Sequence, residues 1–368
     1  MTQSSSRLLS LDVMRGLTIA GMIMVNNPGS WKYVYAPLRH AEWNGLTPTD
    51  LVFPFFMFIM GVSMFFSLRK YDYKLSSASL FKVLKRTVLI FLVGFAINFC
   101  SKLLYSGWEG MQSLRILGVL QRLALAYGIG SLIGLTINHR YLLHTAAGFL
   151  LFYAALLGLT GSTELSEGNL IAVVDRALFG PAHMYSDYLP DGTKISFDPE
   201  GLLSCLGSVG HVLIGFYAGK LIADNKGDKE RIVRNLFILG TILLFAGLLL
   251  SYGFPINKKL WSSTFVLTTC GFASLLLALL MWIIDIRGCR GKAWFFESFG
   301  VNPLYLYVQA DVLAIAMEYT GISAFIYMDL LRPVFGNFGG SLAFALFFVL
   351  LNWFPGYWLY KRKIYIKL

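Results

Sequence analysis

Long apolar segments constrain this 368-residue chain more than any other feature of its sequence. A helix needs about 20 apolar residues to cross the ~30 Å hydrocarbon core of a bilayer. Ten such runs lie near residues 8–26, 49–68, 84–103, 114–137, 142–160, 201–223, 235–252, 262–284, 295–318 and 339–360. They predict an all-α fold, a polytopic integral membrane helical bundle of about ten transmembrane helices.

The composition favours one membrane domain over several soluble domains. Hydrophobic residues make up 56% of the chain and charged residues 14%, whereas soluble domains carry about 25% charged residues. No repeat, low-complexity segment or Pro-rich linker divides the sequence. The first apolar run is interrupted by Asp12 and Arg15, which is atypical of a signal peptide. We expect a single transmembrane domain over residues 1–368, with an extracytoplasmic loop at about 161–200.

The distribution of Lys and Arg predicts the orientation of the helices. Nineteen of the 31 Lys and Arg residues fall in one set of connections and termini, and eight fall in the other set. Because basic residues are enriched on the cytoplasmic side of membrane proteins, we expect both termini in the cytoplasm. This distribution also accounts for the formal charge of +11 without nucleic acid as a partner.

Cysteine and histidine give no metal signature. The four cysteines show no CxxC spacing, the five histidines are scattered, and no HExxH motif occurs. Structural and catalytic metal sites usually show such spacings. We therefore predict no metal site.

Several charged or amide side chains fall within the apolar runs. A charged residue at the centre of a transmembrane helix costs about 2.5–3.5 kcal/mol, so such residues usually face a partner or a watery cavity. Asp12 and Arg15 lie three residues apart on one helix face and are expected to neutralise each other. The others are Asn26, Gln121, Arg122, Asn302, Gln309, Asp311 and Glu318. Together they predict a polar interior, as in a transporter or a membrane enzyme.

The connection between the first two predicted helices concentrates reactive side chains. It reads YAPLRHAEWNGLTPTD from Tyr35 to Asp50, and apolar sequence follows at once. The predicted topology places it outside the cytoplasm, on the same side as the 161–200 loop with its acidic and aromatic residues. Such side chains suit a polar, carbohydrate-like or amine ligand, although an ordinary solvated loop is the alternative for the 161–200 segment.

Five stretches appear in the order expected of one protein family. They are RLLSLDVMRGLTIAGMIMVNNPG, LRHAEWNGLTPTDLVFPFFMFIMGVSMFFSL, GVLQRLALAYG, DPEGLLSCLGSVGHVLIGFYAGK and SFGVNPLYLYV. The chain resembles the bacterial relatives of heparan-α-glucosaminide N-acetyltransferase, a branch of the transmembrane acyltransferases. The resemblance extends from about residue 7 to the C-terminal helix. Its most specific part is the His-x-x-Trp-Asn-Gly…Asp-Leu-Val-Phe-Pro segment.

The resemblance implies an acetyl-CoA-dependent N-acetyltransferase in the bacterial inner membrane. Such an enzyme moves acetyl from cytosolic acetyl-CoA, its co-substrate, to the amine of a glucosamine-like amino sugar or glycan on the outer side. The family's active-site histidine falls on His40, and the asparagine of its Val-Asn motif falls on Asn26. Its Gln-Arg pair falls on Gln121 and Arg122, and the asparagine of its G-x-N motif on Asn302; all three are predicted to bind the co-substrate. A homodimer is left open.

The chemistry of acyl transfer explains why these residue types are needed. The amine must be unprotonated when it attacks the thioester, and the oxyanion must be stabilised. His40 can take the proton, or it can attack the thioester and carry the acetyl group as an acyl-imidazole. Asn26 has an amide N–H suited to the oxyanion, and Glu42 or Asp50 can orient the imidazole. The residues predicted to contact the amino sugar are Trp43, Asn44, Glu42, Asp50, Asp198 and Glu200.

Acetyl-CoA is highly charged and cannot cross lipid, so its phosphates are expected at the cytoplasmic face. Arginine binds phosphate through charge-assisted hydrogen bonds, and the predicted contacts are Arg15, Arg287 and Arg290. The pantetheine arm would then reach through the bundle toward His40.

A membrane transporter for glucosamine or N-acetylglucosamine is the alternative function. It would use the same polar interior without acyl chemistry. Secondary transporters often contain internal repeats and paired broken helices. The sequence shows no repeat, which favours the enzyme.

Overall fold

Helices make up most of residues 8–366, the part of the chain that the computed structural model describes. They are α1 (Leu9–Asn26), α2 (Val52–Leu68), α3 (Ser77–Ser106), α4 (Val119–Thr136), α5 (Leu142–Leu159), α6 (Leu170–Phe179), α7 (Cys205–Asp224), α8 (Lys229–Leu250), α9 (Ser263–Leu280), α10 (Ala293–Val301), α11 (Pro303–Tyr319), α12 (Ile322–Phe325) and α13 (Arg332–Lys361). A short antiparallel hairpin joins β1 (Ser186–Tyr188) to β2 (Lys194–Ser196), with Asp187 opposite Ile195.

The long apolar runs fold as the predicted membrane helices. Within residues 8–366, nine helical stretches are long and apolar enough to cross a bilayer, and α10 with α11 makes a tenth if the bent pair counts as one span. A helix satisfies its backbone hydrogen bonds within the segment, which hydrocarbon surroundings require. The predicted all-α, polytopic bundle is therefore confirmed, and the chain is an integral membrane protein.

The predicted continuous span near 295–318 is in fact two helices. α10 and α11 meet at a bend of 85°. The bend lies at Asn302, whose φ is −126° and ψ is 56°. Pro303 follows, and a proline disfavours the helical conformation of the residue before it. The break is thus a consequence of the Asn-Pro dipeptide.

The last predicted span, near 339–360, is longer than expected. A helical stretch runs from Ile322 to Lys361 through α12, a π-helical turn at Ile326–Leu331 and α13. It changes direction at Gly336, where φ is 69°. Glycine adopts this backbone conformation without the steric cost that a side chain would add.

The described chain packs as two compact units, each assembled from separate stretches of sequence. The first unit comprises residues 8–39, 224–240 and 272–366, and the second comprises residues 40–223 and 241–271.

In the first unit, α1 and α10 approach so closely that only glycine fits at their contact. A Cβ atom at Gly16 would overlap the carbonyl of Phe296, and one at Gly300 would overlap the carbonyl of Asp12. Small residues allow helix backbones in membranes to pack closely. The approach lets Arg15 Nη1 donate to the Gly300 carbonyl (3.1 Å) as well as to Asp12 Oδ1 (2.8 Å). The predicted Asp12–Arg15 pair is thereby confirmed.

In the second unit, α2 packs against α7 by the same principle. A Cβ atom at Gly61 would overlap the Val212 carbonyl, and one at Gly215 would overlap the Phe58 carbonyl. This close packing fixes α2, and the polar loop that carries His40 leads directly into its N-terminal end.

The 161–200 loop is ordered by a hydrophobic cluster in the second unit. This loop contains α6 and the β1–β2 hairpin. The cluster contains Tyr153, Leu157, Ile171, Ala172, Ile195, Phe197 and Leu260. Tyr153 donates its hydroxyl hydrogen to the Leu260 carbonyl at 2.6 Å. The segment is therefore a folded element and not an ordinary solvated loop.

Candidate active site

His40 and Asp50 form a hydrogen-bonded pair before the N-terminus of α2. His40 Nδ1 lies 2.6 Å from Asp50 Oδ1. The histidine side chain is 43% exposed, whereas that of Asp50 is 1% exposed. A buried carboxylate thus holds Nδ1 of an imidazole that is itself partly exposed to solvent. We call residues 40–51 the histidine loop.

The local sequence Thr47-Pro48-Thr49-Asp50 explains why Asp50 is buried. Pro48 starts a short 3₁₀ turn, Pro48–Leu51, that leads into α2. Asp50 Oδ2 accepts hydrogen bonds from the Thr47 N–H (3.2 Å), the Thr47 hydroxyl (2.9 Å) and the Ala41 N–H (3.0 Å). An acidic side chain that reaches back to the first residue of the turn is a capping box. These bonds fix the carboxylate and leave Oδ1 facing His40.

The distances assign the tautomer of His40. At 2.6 Å from a carboxylate oxygen, Nδ1 must carry a proton, because a lone pair there would face the lone pairs of Oδ1. The unprotonated nitrogen of the neutral ring is therefore Nε2. This atom makes no hydrogen bond with any residue between 8 and 366. His40 is thus arranged as a base with its accepting nitrogen free.

A second loop, which the sequence analysis missed, closes over the Asp50 carboxylate. We call residues 254–262, between α8 and α9, the lysine loop. Lys258 Nζ lies 3.3 Å from Asp50 Oδ1 and 3.1 Å from His40 Nδ1. Burial lowers the pKa of Lys258, and the attraction of Asp50 opposes this effect without cancelling it.

Two further hydrogen bonds join the lysine loop to the histidine loop. Asn257 Nδ2 donates to Asn44 Oδ1 at 3.1 Å, and the Gly45 N–H donates to the Ile256 carbonyl at 2.8 Å. One sequence signal pointed here: Lys258 and Lys259 are adjacent basic residues on the side predicted to hold few of them.

Trp43 anchors the histidine loop to the hydrophobic cluster. Its Nε1 donates to the Thr163 carbonyl at 3.0 Å, and its ring meets the edge of Phe197 at 5.5 Å between centroids. The ring is partly buried against the cluster. Lys259 lies 5.8 Å from the ring and forms an ion pair with Asp187 at 2.5 Å. The hydrophobic cluster therefore helps to hold the histidine loop in place close to His40.

The other predicted ligand contacts of the histidine loop are exposed. Glu42 and Asn44 both lie at the surface. The Glu42 carboxylate makes no hydrogen bond or ion pair within the described part of the chain. Asn44 uses its oxygen for Asn257 and keeps its amide hydrogens. Both side chains remain free to contact a polar ligand near His40.

Asp198 and Glu200 are held by an arginine that the sequence analysis did not single out. Arg115 binds Asp198 through Nε (2.9 Å) and Nη2 (2.6 Å), and Nη2 also reaches Glu200 Oε2 (2.5 Å). Asp198 further accepts from the N–H groups of Tyr185 and Glu200. Burial by itself lowers the pKa of Arg115, but the two carboxylates outweigh burial and raise it. We propose a structural role for these acids in place of the predicted substrate contact.

Gln121 and Arg122 are both buried on α4. Arg122 Nη2 donates to the Pro199 carbonyl at 2.6 Å and to the Ser204 hydroxyl, and its guanidinium lies 4.9 Å from the Trp261 ring. Arg122 Nε and Nη1 and Gln121 Nε2 make no hydrogen bond within residues 8–366. These three donors are the structural observation in favour of the predicted co-substrate contact.

The remaining predicted residues belong to the first unit. Asn26 is exposed at the last position of α1, Arg287 and Arg290 are exposed, and Arg15 is engaged with Asp12. Asn302 is buried, and both ends of its amide are used. Its Nδ2 donates to the Ile364 carbonyl (2.9 Å), and the Ile366 N–H donates to its Oδ1 (2.8 Å). A co-substrate contact at Asn302 would have to replace these bonds.

Among the described residues, no three His, Cys, Asp or Glu side chains are grouped in a way that could hold a metal ion.

Comparison with known proteins identifies the family. The family model described as "Heparan-alpha-glucosaminide N-acetyltransferase, catalytic" matches residues 7–252. The chain is 31% identical over 363 residues to the Mus musculus protein named heparan-alpha-glucosaminide N-acetyltransferase, covering 84% of this chain and 54% of that protein. The Homo sapiens protein of the same name is 30% identical over 359 residues, with 83% and 53% covered. The chain spans about half the length of these curated relatives. Since the family model matches more than half of the chain, the chain belongs to the heparan-alpha-glucosaminide N-acetyltransferase catalytic family.

Proposed function

We propose that this protein is a membrane acetyltransferase that moves acetyl from cytosolic acetyl-CoA to the amine of an extracytoplasmic, glucosamine-like amino sugar. The observation that carries the proposal is the His40–Asp50 pair, in which Nδ1–H faces the buried carboxylate and Nε2 of the partly exposed imidazole makes no hydrogen bond within residues 8–366. Family membership supports the reaction type, because both curated relatives are named N-acetyltransferases.

The proposed step is direct attack with His40 as general base. The amine nitrogen bonds to the thioester carbonyl carbon, and the C–S bond then breaks to release the CoA thiolate. The amine proton passes to His40 Nε2. Asp50 stabilises the imidazolium that forms, because its Oδ1 already accepts the Nδ1 proton. A thioester is activated enough for this route, so no acyl-imidazole is required.

The acceptor is proposed to lie against the exposed part of the histidine loop. The free carboxylate of Glu42 suits the cationic or hydrogen-bonding amine of an amino sugar. The amide hydrogens of Asn44 suit a sugar hydroxyl. Trp43 is partly buried as the anchor of the loop, so we propose that it supports these two side chains and adds only the exposed part of its ring.

The acetyl donor is proposed to bind from the cytoplasmic face of the bacterial inner membrane. The basic-residue distribution supports this orientation. Arg287 and Arg290 are exposed and suited to the phosphates of CoA. The free donors of Gln121 and Arg122 suit acceptor oxygens of the pantetheine arm. Asn26 keeps its predicted role as amide donor to the acetyl carbonyl, which Asn26→Ala tests separately.

A labelled-acetyl assay on purified protein tests the reaction class. With radiolabelled acetyl-CoA and glucosamine, we expect labelled N-acetylglucosamine to form. Liposomes containing the same protein are tested in parallel for sugar uptake without acetyl-CoA. If the liposomes take up sugar and the purified protein transfers no acetyl group, the proposed acetyltransferase function is wrong and the transporter is the better explanation.

Sealed vesicles of known orientation test the side from which the donor enters. Acetyl-CoA should support turnover only when it is supplied on the face that carries the chain termini. Equal turnover from either face would contradict entry from the cytoplasm.

A further inference from the structure

Lys258 contacts both members of the catalytic pair from a loop that is distant in sequence. Its Nζ lies 3.1 Å from His40 Nδ1, 218 residues away in the chain, and 3.3 Å from Asp50 Oδ1. The side chain is 23% exposed, so the ammonium group is partly removed from water. Since Nδ1 gives its proton to Asp50, Lys258 can donate only to the carboxylate. Two cation-forming groups thus share one negative charge.

This sharing works against protonation of the imidazole. If His40 accepts a second proton while Lys258 is charged, two positive charges meet at contact distance, and Asp50 is the carboxylate in contact with both. Glu200 also attracts the lysine, but its carboxylate is bound to Arg115. Arg122 repels it. The lysine therefore opposes the effect that Asp50 has on His40.

We propose that Lys258 is a positioning residue that holds the Asp50 carboxylate and keeps His40 unprotonated between turnovers, so that Nε2 stays available as the base. This role rests on the proposed acetyl transfer. Because Lys258 raises the free energy of the imidazolium, a proton accepted from the amine is released again readily. The base is then reset for the next acceptor.

The charge on Lys258 can be tested without measuring acetyl transfer. Diethyl pyrocarbonate reacts with unprotonated imidazole, and the His40 side chain is 43% exposed. The rate at which the His40 peptide is modified, followed by mass spectrometry between pH 5 and pH 8, gives the midpoint for loss of its proton. In Lys258→Met we expect this midpoint to move up by about one pH unit or more. A unit charge 3.1 Å away is worth about 1.3 kcal/mol even at the dielectric constant of water, and this energy corresponds to about one pKa unit.

Conservative and matched variants separate charge from packing. Lys258→Arg keeps the positive charge and should leave the midpoint within about 0.3 pH units of wild type. Lys258→Gln is a second neutral variant for the case in which the methionine variant does not fold. Lys194→Met removes an exposed lysine from β2, with the same change in net charge, and should leave the midpoint unchanged.

An unchanged midpoint in a folded neutral variant of Lys258 would overturn the proposal. The acetyl-transfer assay is scored separately. The acid limb of its pH–rate profile should move in the same direction as the modification midpoint. If the wild-type protein transfers no acetyl group, the proposed function is wrong, but the shift of the modification midpoint can still be measured. Failure of the proposed function and failure of the proposed role of Lys258 can therefore be distinguished.

Discussion

Asp50 and Asp198 are both buried carboxylates of the second unit, and they differ in the base that they bind. Asp198 faces Arg115, whose guanidinium stays protonated at all ordinary pH values and forms two bonds with the carboxylate. Asp50 faces His40, whose imidazole can accept and release a proton. The first pair can only hold the 161–200 segment in place, whereas the second can take part in proton transfer.

A third buried carboxylate in the same unit, that of Asp175, forms no ion pair with any residue between 8 and 366. Asp175 Oδ1 accepts the Leu202 N–H at 2.9 Å, and its Oδ2 makes no hydrogen bond within residues 8–366. Burial raises the pKa of Asp175 to about 6, although the bond from Leu202 lowers it. Burial alone thus favours the neutral acid, and the partner decides whether a buried aspartate stays charged.

The largest expected effect on activity comes from removing His40, the partner of Asp50. His40→Ala should lower kcat/KM for acetyl transfer by about 10²–10⁴-fold, the range for removal of a general base. The side chain is 43% exposed, so its loss opens no core cavity and the melting temperature should change little. The matched control is His183→Ala in the 161–200 segment, because the side chain of His183 bonds the Leu114 carbonyl and the substitution keeps the backbone bonds of this residue.

If His40→Ala keeps more than about a tenth of the wild-type rate, the catalytic assignment is contradicted. The loss of activity would then be smaller than even the lower bound for removal of a general base. The same variant tests the covalent route. Labelled acetyl that is bound to wild-type protein, absent from His40→Ala and discharged by glucosamine would favour an acyl-imidazole over direct attack.

The next effect comes from changing the carboxylate and keeping the histidine. In Asp50→Asn the amide oxygen should take the place of Oδ2 toward Thr47 and Ala41, which turns the amide N–H toward His40 Nδ1. The imidazole then carries its proton on Nε2 and cannot act as a base. We expect kcat/KM to fall by about 10²–10³-fold. Steady-state kinetics on the folded Asp50→Asn variant measure this loss. A kcat/KM near that of wild type would show that Asp50 does not set the tautomer of His40.

Asp175 should make stability depend on pH. Its pKa is about 6 in the folded chain and 3.8 in the unfolded reference. Because the folded pKa is raised, the stabilisation is fully present below the unfolded pKa and is lost as pH rises through the folded pKa. From pH 4 to pH 7 this amounts to about 2.5 kcal/mol of unfolding free energy.

Thermal unfolding in detergent at several pH values measures this dependence. Asp175→Asn cannot ionise, so it should gain stability relative to wild type as pH rises from 4 to 7. A difference between wild type and variant that stays constant with pH would show that Asp175 does not titrate in this range.

The smallest expected effect on activity comes from changing the arginine-bound carboxylate. Asp198→Asn weakens the bonds to Arg115, which keeps its bond to Glu200 and is 28% exposed. We expect a loss of about 1.5–3 kcal/mol in unfolding free energy, the range for hydrogen bonds to charged groups. The folded Asp198→Asn variant should keep a kcat/KM near that of wild type. If its melting temperature is unchanged and its activity is lost, Asp198 is better explained as the substrate contact predicted from sequence.

The sequence analysis was most successful where the physical requirement is local. Each apolar run had to supply its own helix length and its own backbone hydrogen bonds, so counting runs was enough to predict the all-α bundle. The Asn302-Pro303 break is also encoded locally, since the restriction before proline acts on the neighbouring residue. It was missed because hydropathy averaging does not register a single Asn-Pro step inside an apolar run.

The proposed catalytic centre was predicted only in part from the sequence. The family resemblance placed His40, and the same loop supplied Asp50, which sequence reasoning offered both as an orienting group and as a substrate contact. The structure supports the orienting role, because both carboxylate oxygens are bonded within the protein. Asp198 and Glu200 looked like ligand groups because Arg115, more than 80 residues earlier in the chain, could not be assigned to them from sequence.

The amino-acid sequence alone therefore determined the membrane class of the protein, the positions of its helices and the loop that carries His40. Tertiary packing decided which charged groups come into contact. Helix formation in a membrane depends on hydrophobicity and backbone bonding over about 20 residues, and both can be read along the chain. The contacts of His40 include a lysine that lies 218 residues away in the chain. Electrostatic energy falls with distance in space and not with separation in sequence. Only the folded arrangement of the histidine loop against the lysine loop could bring Lys258 to the Asp50 carboxylate.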